Sequence, residues 1–399
     1  MSSSNKKSLS IILIVITFIV LTTYGISLFA RGYQISTKGK VSFLATGIIS
    51  ATSRPKAASV YINDRLITAT DDTINLPPDK YTIKIIKDGY LPWQKNIQIK
   101  KEIVYQTDTQ LFRSAPDLKP ITLTGAINPA ISPDGSLVVF SVASASAEKD
   151  NGLYLLELSD SPAFLAKNLA KQLSSNFPQL NWSNFSFTFS PNSKQILAKN
   201  STNNTNYLIK IDANTDYKNL YDVTPTLSLI KEEWDTQEQQ IIKAKIQRLP
   251  VELQAFVSTN SAKNILFNSD DTKVLYIAQK DGDLKQGIIS PPPAQSTQSQ
   301  SRDIKKDNYY VYDLKDDTNF LIGPKEIYNL NWLANSNNLI FIEDQKIQTV
   351  EYDNTNRNTL FAGNFNKDAV YTWLDGNKII TLIAPYDNAQ ENLYSISIR

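Results

Sequence analysis

The 399-residue chain contains neither cysteine nor histidine, and these two absences exclude most side-chain chemistry. Without cysteine there are no disulfides, thiol nucleophiles or thiolate metal sites. Without histidine there is no Ser-His-Asp triad, no imidazole acid–base catalysis and no histidine-bound zinc, copper or iron. Any catalysis would have to use carboxylates, lysine, tyrosine or serine, and any metal would need oxygen ligands.

The chain also has few glycines and a small net charge. The 13 glycines are scattered singly, so the sequence has no glycine-rich loop for phosphate binding. The formal net charge of +2 is spread along the chain and forms no basic face, so we expect no nucleic-acid partner. A content of 41% hydrophobic and 20% charged residues is that of a folded protein, and the length predicts more than one domain.

One uncharged apolar segment, Leu9 to Ala30, stands out from the rest of the chain. At 1.5 Å per residue it is long enough to cross about 30 Å of hydrocarbon. Lys6 and Lys7 precede it in a polar head at residues 1–8, which favours a cytoplasmic N-terminus. We interpret the segment as a single-pass signal anchor in the cytoplasmic membrane, with the lipid bilayer as its partner and the ectodomain outside.

The alternative interpretation of this segment is a cleavable signal peptide. Such peptides usually have an apolar region of about 7 to 15 residues that ends in a small-x-small cleavage site. The apolar run here is longer, and the candidate sites after Ser27 and Ala30 lack the usual pair of alanines. In either case most of the chain is expected to lie outside the cytoplasm.

After a linker at residues 31–44, the sequence is typical of β structure. Short alternating runs rich in Ile, Val, Tyr and Thr are separated by Pro, Gly, Asn and Asp. Val60 and Ile62 fall on one face of a predicted strand, and residues 81–85 alternate in the same way. We predict a small β-sandwich over residues 45–113.

This segment resembles the PEGA domain, a β module of bacterial and archaeal surface proteins. Pro55-Lys56-Ala57-Ala58 stands where the family has its four eponymous residues, and Gly89-Tyr90 matches its Gly-Tyr pair. Residues 76–81 (LPPDKY) match its Leu-Pro-Pro-Gly-x-Tyr segment, with Asp79 in place of the glycine. Asp64 replaces a second family glycine. The resemblance implies a fold and a surface location, but no catalytic residue.

Residues 118–399 contain a recurring pattern of an apolar strand, a tight polar turn and a second apolar strand. The five copies lie at residues 131–140, 189–197, 267–276, 332–341 and 373–380. A third strand follows most copies, which is typical of one propeller blade per copy. The Ser-Pro-Asp-Gly turns resemble those of TolB-like and WD40-like propellers of bacterial envelopes. We expect a β-propeller of about five to six blades.

The last copy ends after its third strand, so one blade is a strand short. We expect residues 119–124 to supply that strand and close the ring, because closure removes exposed strand edges.

Two insertions interrupt the pattern. Residues 229–256 have apolar residues at helical spacing and predict a helical insertion, which could be the core of an irregular sixth blade. Residues 290–307 are rich in Pro, Ser and Gln and predict a disordered loop.

Acidic residues in turns are the first candidates for chemistry. Asp281-Gly282-Asp283 could bind calcium, but no acid follows at the spacing of an EF-hand loop. Asp134, Asp270-Asp271 and Asp375 recur at equivalent turns, as turn-forming acids do. A carboxylate hydrolase would need two acids some 5 to 10 Å apart. We assign no catalytic, cofactor-binding or metal-binding residue.

Two further patterns have an ordinary structural interpretation. Tyr309, Tyr310 and Tyr312 could stack on a sugar or base, but in a strand they favour cross-strand packing. The four Asn-x-Ser/Thr sequences would be glycosylation acceptors only in a host that supplies the glycan. They lie at Asn181, Asn184, Asn200 and Asn203.

These observations predict a mainly β protein without enzymatic activity or cofactor: a membrane-anchored surface protein whose propeller binds protein, peptide or cell-wall polysaccharide. Propeller loops cluster on two faces, so such binding needs few special residues. The alternative is an envelope hydrolase with a carboxylate active site in the propeller. A pocket containing two acids would favour the hydrolase, and a broad apolar or aromatic face would favour the binding protein.

Overall fold

The computed structural model describes residues 3–30, 34–36, 42–158, 170–177, 180–211, 220–290, 292–294, 296–386 and 389–399. Two compact units result. The first comprises Met1–Leu111 with Pro292–Gln298, and the second comprises Phe112–Pro291 with Ser299–Arg399.

A single helix, α1 (Ser3–Ala30), contains the predicted apolar segment. Its side chains are described from residue 12 to residue 27, and the large apolar ones among them are exposed. Within the part of the chain whose side chains are described, no helix is both long and apolar enough to span a membrane. The strands β1 (Gln34–Ser36) and β2 (Ser42–Leu44) form an antiparallel pair inside the predicted linker. Residues 31–33 and 37–41 of that linker lie outside the described residues.

Two small sheets and a parallel strand pair form the remainder of the first unit. The strands are β3 (Gly47–Ala51), β4 (Ser53–Arg54), β5 (Ser59–Ile62), β6 (Arg65–Ala69), β7 (Asp72–Leu76), β8 (Lys80–Ile86), β9 (Trp93–Gln98), β10 (Val104–Gln106) and β11 (Thr109–Gln110). The sheets have the orders β6-β5-β8-β9 and β10-β3-β7, and β11 pairs with β4. Val60, Ile62, Ile83 and Ile85 lie in the core, because alternation places them on one face. The predicted small β module is confirmed.

Within the described residues, the second unit contains five four-stranded antiparallel sheets, which we call blades 1 to 5. It opens with β12 (Asp117–Pro120). Blade 1 contains β13 (Ile127–Ile131), β14 (Leu137–Val142), β15 (Gly152–Glu157) and β16 (Lys171–Ser175). Blade 2 contains β17 (Phe185–Phe189), β18 (Gln195–Asn200), β19 (Asn206–Lys210) and β20 (Tyr221–Asp222). The helices α2 (Leu227–Gln247) and α3 (Val251–Gln254) follow.

Blade 3 contains β21 (Ile265–Phe267), β22 (Lys273–Ile277) and, after the short pair β23 (Gly282–Asp283) and β24 (Asp303–Ile304), β25 (Asn308–Asp313) and β26 (Thr318–Pro324). Blade 4 contains β27 (Tyr328–Trp332), β28 (Asn338–Glu343), β29 (Lys346–Glu351) and β30 (Asn358–Ala362). Blade 5 contains β31 (Phe365–Thr372), β32 (Lys378–Ile383) and β33 (Asn392–Ser397).

Blade 5 is completed by β12, the strand that precedes blade 1 in the sequence. Leu118 pairs with Ile396 in an antiparallel register, and the backbone N–H of Ile121 still donates to the carbonyl of Leu393 at 2.7 Å. The predicted closing strand is therefore confirmed, although it begins two residues earlier than expected. Blade 5 consequently has no unpaired edge at β33, and the chain is closed into a ring.

Side-chain hydrogen bonds join neighbouring blades around this ring. In each, a side chain on the first strand of one blade donates to a backbone carbonyl of a neighbouring blade. They are Asn128 Nδ2 to Phe185 O at 2.8 Å, Trp332 Nε1 to Leu266 O at 2.8 Å, Asn329 Nδ2 to Val370 O at 3.0 Å and Tyr371 Oη to Pro129 O at 2.8 Å. Blades 1 and 2, 3 and 4, 4 and 5, and 5 and 1 are thus linked directly. The described part of the second unit forms a five-bladed propeller, in agreement with the predicted fold class.

Helix α2 occupies the remaining junction, between blades 2 and 3. Its N-terminal half packs Trp234 against Leu197 and Val223 of blade 2. Its C-terminal half packs Ile242 against the core of blade 3 around Tyr276. The helical spacing in the sequence placed these residues on one stripe, so the predicted helical insertion is confirmed. The place of an irregular sixth blade is taken by a helix rather than by a sheet.

The segment at residues 290–307 differs from the disordered loop predicted from its composition. The side chain of Thr297 accepts a hydrogen bond from the backbone N–H of Gln98, and Gln298 donates to the carbonyl of Asn96 at 2.7 Å. Farther along, Ile304 in β24 is fully buried. β9 is the edge strand of its sheet, so its unpaired backbone groups provide partners for a polar segment without a core of its own. Pro291 and Gln295 lie outside the described residues.

Gly376, in the first turn of blade 5, provides a test of contact between blades. Its φ is +67°, and a Cβ atom built on it would lie 2.0 Å from the carbonyl oxygen of Ala334 in blade 4. Gly135 has the same turn position in blade 1 and a φ of +72°, but its nearest neighbour would lie 3.8 Å away. We expect G135A to cost about 1 kcal/mol from the left-handed conformation, and G376A roughly 2 to 3 kcal/mol because the blades must also separate. Urea unfolding of the two variants measures the difference; equal costs would contradict the contact.

Candidate functional site

A cavity of about 510 Å³ lies where the first strands of blades 1, 2 and 5 begin. The first strand of blade 1 contacts the first strands of blades 2 and 5, which brings their starting ends together at the cavity. Turns between the second and third strands complete the wall. The polar lining residues are Asn128, Ser144, Ser186, Asn366, Asp368, Gln390 and Glu391. Among the residues that the structure describes, no lysine or arginine lines the cavity.

Asn128 is positioned by a β-bulge at the start of β13. The register to β14 shifts between Ile127 and Ala130, and Asn128 has a left-handed φ of +50°. Asparagine tolerates this conformation better than other residues with a Cβ atom. Its Nδ2 donates to the carbonyl of Phe185 in blade 2 at 2.8 Å. The amide oxygen is left as the hydrogen-bonding atom available at the cavity.

Gln390 and Glu391 are held by the segment that joins β12 to β13. Gln390 Nε2 donates to the carbonyl of Thr124 at 3.1 Å, and the N–H of Ala126 donates to the carbonyl of Glu391 at 3.0 Å. Gly125 has a φ of +86°, and a Cβ there would lie only 1.8 Å from Gln390 Nε2. The closing strand thus also fixes the loop that carries one wall of the cavity.

Asp368 lies in the bulged first strand of blade 5, where the register to β32 shifts between Phe365 and Val370. Its N–H donates to Asn366 Oδ1 at 3.0 Å, and its carboxylate accepts a hydrogen bond from the hydroxyl of Tyr328 in blade 4. That hydrogen bond, with some burial, raises the pKa of Tyr328. Burial and, to a lesser extent, the charge of Asp368 raise the pKa of Tyr371. Both phenols therefore remain protonated donors at neutral pH.

The sequence did not single out any of these cavity residues. One signal could have found Asn128: it precedes Ser132, the first residue of its turn, by four positions, and Asn329 precedes Leu333 by the same interval. Both asparagines have a left-handed φ and donate to the first strand of the next blade. Asp368 and Glu391 carry no such pattern, because blade geometry alone brings them to one cavity.

The acidic turns predicted from the sequence lie at the opposite ends of the first strands. Asp134 accepts from Ser132 Oγ at 2.6 Å, and Asp375 accepts from the N–H of Asn377 at 2.8 Å. Partial burial raises the pKa of Asp134, but hydrogen bonds from Ser132 and Ser136 outweigh it, so the pKa lies below its ordinary value. Each carboxylate stabilises its own turn, and their interpretation as turn residues is confirmed.

The other two sequence candidates are also structural. Asp281 Oδ1 accepts from the N–H of Lys306 at 2.6 Å, which holds the β23–β24 pair. Within the described residues, no three acidic side chains are grouped to hold a metal ion. Tyr310 and Tyr276 are opposite each other on β25 and β22 with ring centroids 5.6 Å apart, and Tyr312 is fully buried. The predicted cross-strand packing of the tyrosines is confirmed.

The asparagines of the Asn-x-Ser/Thr sequences serve local turns. The side chain of Asn181 accepts from the N–H of Ser183 at 3.0 Å, and that of Asn203 accepts from the N–H of Thr205 at 3.1 Å. Asn200 is buried and accepts from the N–H of Thr202 at 2.7 Å. The carbonyl of Asn184 accepts from Ser201.

Residues 46–114 match the PEGA domain. The resemblance seen in the sequence is therefore confirmed, and the small β module is a PEGA domain. PEGA domains are typical of extracellular or periplasmic proteins, which indicates a location outside the cytoplasm. No curated protein matches the chain in sequence.

Several solved structures resemble the chain at 12% to 13% identity. Oligogalacturonate lyase in complex with manganese has a TM-score of 0.23, with 70% of this chain and 68% of the lyase covered. TolB from Acinetobacter baumannii has a TM-score of 0.21, with 80% and 61% covered. The acylaminoacyl peptidase of Pyrococcus horikoshii has a TM-score of 0.19, with 68% and 38% covered. Likenesses this distant carry no functional argument; the strand pairing itself defines the propeller.

Proposed function

We propose that this PEGA-domain protein is a membrane-anchored surface protein whose propeller binds a protein, peptide or cell-wall polysaccharide without chemical turnover. The observation that carries the proposal is the cavity where the first strands begin. Its volume of about 510 Å³ lies in the range of about 300–1,000 Å³ that ligand sites occupy. Side chains on rigid strands line it, together with loops held by the closing segment, as a preorganised binding site requires.

Anchoring through α1 is supported by the sequence and by exposure. The run Leu9 to Ala30 has no charge and falls within one helix. Phe18, Leu21 and Ile26 expose most of their surface, which is unfavourable in water and favourable in a bilayer. Lys6 and Lys7 favour an N-terminus inside, and the PEGA match favours a domain outside.

One experiment tests anchoring and binding together. The full chain should sediment with membranes and resist alkaline extraction, whereas a chain without residues 1–30 should be recovered in the soluble fraction. Both forms should bind purified cell envelopes of the producing organism and release no soluble product. If cells that express the full chain release it into the medium without its first 30 residues, the segment is cleaved and does not anchor the protein. Absence of envelope binding would overturn the binding function.

A carboxylate hydrolase is the second candidate, because Asp368 and Glu391 line the same cavity. Paired carboxylates can serve as general acid and base or as nucleophile. Release of reducing sugars or new amino groups from the bound envelopes would favour this activity. If D368N and E391Q abolished that release while leaving envelope binding intact, the protein would be an enzyme and the binding role would be secondary.

A further inference from the structure

Two amides in the lining of the cavity, Asn128 and Gln390, have their nitrogens engaged and their oxygens left as acceptors. The amide nitrogens of Asn128 and Gln390 are both directed to backbone carbonyls, at 2.8 and 3.1 Å. An amide whose nitrogen is fixed in this way offers its oxygen to a ligand. The N–H of Asp368 is likewise directed to Asn366 Oδ1. At the amide oxygens of Asn128 and Gln390 a ligand must therefore supply the hydrogen-bond donor.

The charge of the cavity has one sign. Asp368 and Glu391 contribute two carboxylates, and no basic side chain is among the lining residues. Tyr328 donates to one carboxylate oxygen of Asp368, and the second oxygen remains as an acceptor for a ligand. The carboxylate of Glu391 has no ion-pair partner within the described residues. Charge-assisted hydrogen bonds to such carboxylates are about twice as strong as neutral ones, so a cationic donor is favoured and an anionic ligand is repelled.

Two exposed apolar side chains lie close in sequence to residues that line the cavity or hold its wall. Leu123 is 82% exposed and directly precedes Thr124, the residue that holds Gln390. Tyr386 is 73% exposed, and its carbonyl accepts a hydrogen bond at 3.0 Å from the N–H of Ala389, the residue before Gln390. A tyrosine ring in such a place can pack on the flat face of a sugar ring and attracts a nearby cation.

From these three observations we propose that the cavity binds a glycan bearing primary ammonium groups, that is, the deacetylated amino sugars of a cell-surface polysaccharide. The proposal rests on the proposed binding function and names its ligand class. An ammonium group brings three donors and a positive charge for Asp368, Glu391 and the amide oxygens. The volume suits a few sugar rings, whereas a stable protein interface would bury about 800 Å² per partner over a broad patch.

Two oligosaccharides that differ only in acetylation provide the test. The full chain in detergent is titrated calorimetrically with the tetramer of glucosamine and with that of N-acetylglucosamine, below the pKa of the amine. We expect the glucosamine tetramer to bind at least about tenfold more tightly, and to weaken with added salt because the attraction is electrostatic. D368N and E391Q should each weaken it about fivefold, with little effect on the acetylated tetramer.

A matched control removes an exposed glutamate from the other end of blade 1. Glu157 is exposed and pairs with Leu137 beside the first turn of that blade. E157Q should therefore leave the affinity for glucosamine unchanged. Equal affinity for both tetramers, tighter binding of a galacturonate tetramer, or tighter binding of a lysine-rich peptide would overturn the amino-sugar ligand. If envelopes were still bound in those cases, the general binding function would stand; if neither envelopes nor glycans were bound, both proposals would be wrong.

Discussion

Replacing Asp317 by asparagine is expected to lower the free energy of unfolding of the propeller by about 3 kcal/mol. Asp317 is 2% exposed and lies at the turn between β25 and β26. It accepts hydrogen bonds from Tyr312 Oη at 2.5 Å and from the N–H of Gly287 at 2.7 Å, and Arg302 Nη2 lies 3.4 Å away. An asparagine places an amide N–H2 where donors already point and leaves the charge of Arg302 without its partner.

The loss should also be visible locally, because Asp317 holds both ends of the insertion between β23 and β24. D317N should make that insertion more sensitive to limited proteolysis than the blades themselves. The control is D303N, in the strand that follows the insertion. It breaks the ion pair between Asp303 and Lys305, whose side chains are 65% and 57% exposed. Such an exposed ion pair contributes little to stability, so D303N should be nearly neutral. If D317N and D303N lowered the free energy of unfolding by similar amounts, the buried hydrogen bonds of Asp317 would not contribute more to stability than an exposed ion pair.

W182A is expected to cost about 3–5 kcal/mol of propeller stability. Trp182 is fully buried between blades 1 and 2, with its ring 5.0 Å from that of Phe185 and 6.5 Å from that of Tyr207. Alanine would leave a cavity that the surrounding sheets cannot fill without separating from each other. Urea unfolding followed by the fluorescence of the remaining tryptophans measures the loss.

W182F separates ring packing from the polar atom of the indole. Trp182 Nε1 has no hydrogen-bond partner within the described residues, so its removal costs no bond, and we expect W182F to retain most of the stability. Y221A, on the last strand of blade 2, should change stability by less than about 0.5 kcal/mol because Tyr221 is 77% exposed. A large loss in Y221A, or a small loss in W182A, would contradict the assignment of the core between these blades.

The cavity shows where prediction from the sequence ends. Asn128 comes from the first blade, and Asp368 and Glu391 come from the last blade. Asn128 lies more than two hundred positions from the other two in the sequence. They meet because β12 pairs with β33 and closes the ring. A sequence shows that a strand is missing from the last blade, but the residues that line the cavity depend on the bulges and on the packing of each blade on the next.

The sequence by itself determined the elements with a local physical signal. Alternating apolar residues determined the PEGA strands and blades, helical spacing determined α2, and the uncharged run determined the N-terminal helix. Only the tertiary structure decided that the ring has five sheets with a helix at one junction. It also decided that Thr297 and Gln298 lie against β9 and that two carboxylates share one cavity. These features depend on contacts between distant segments, whose energies arise only after the local elements have packed together.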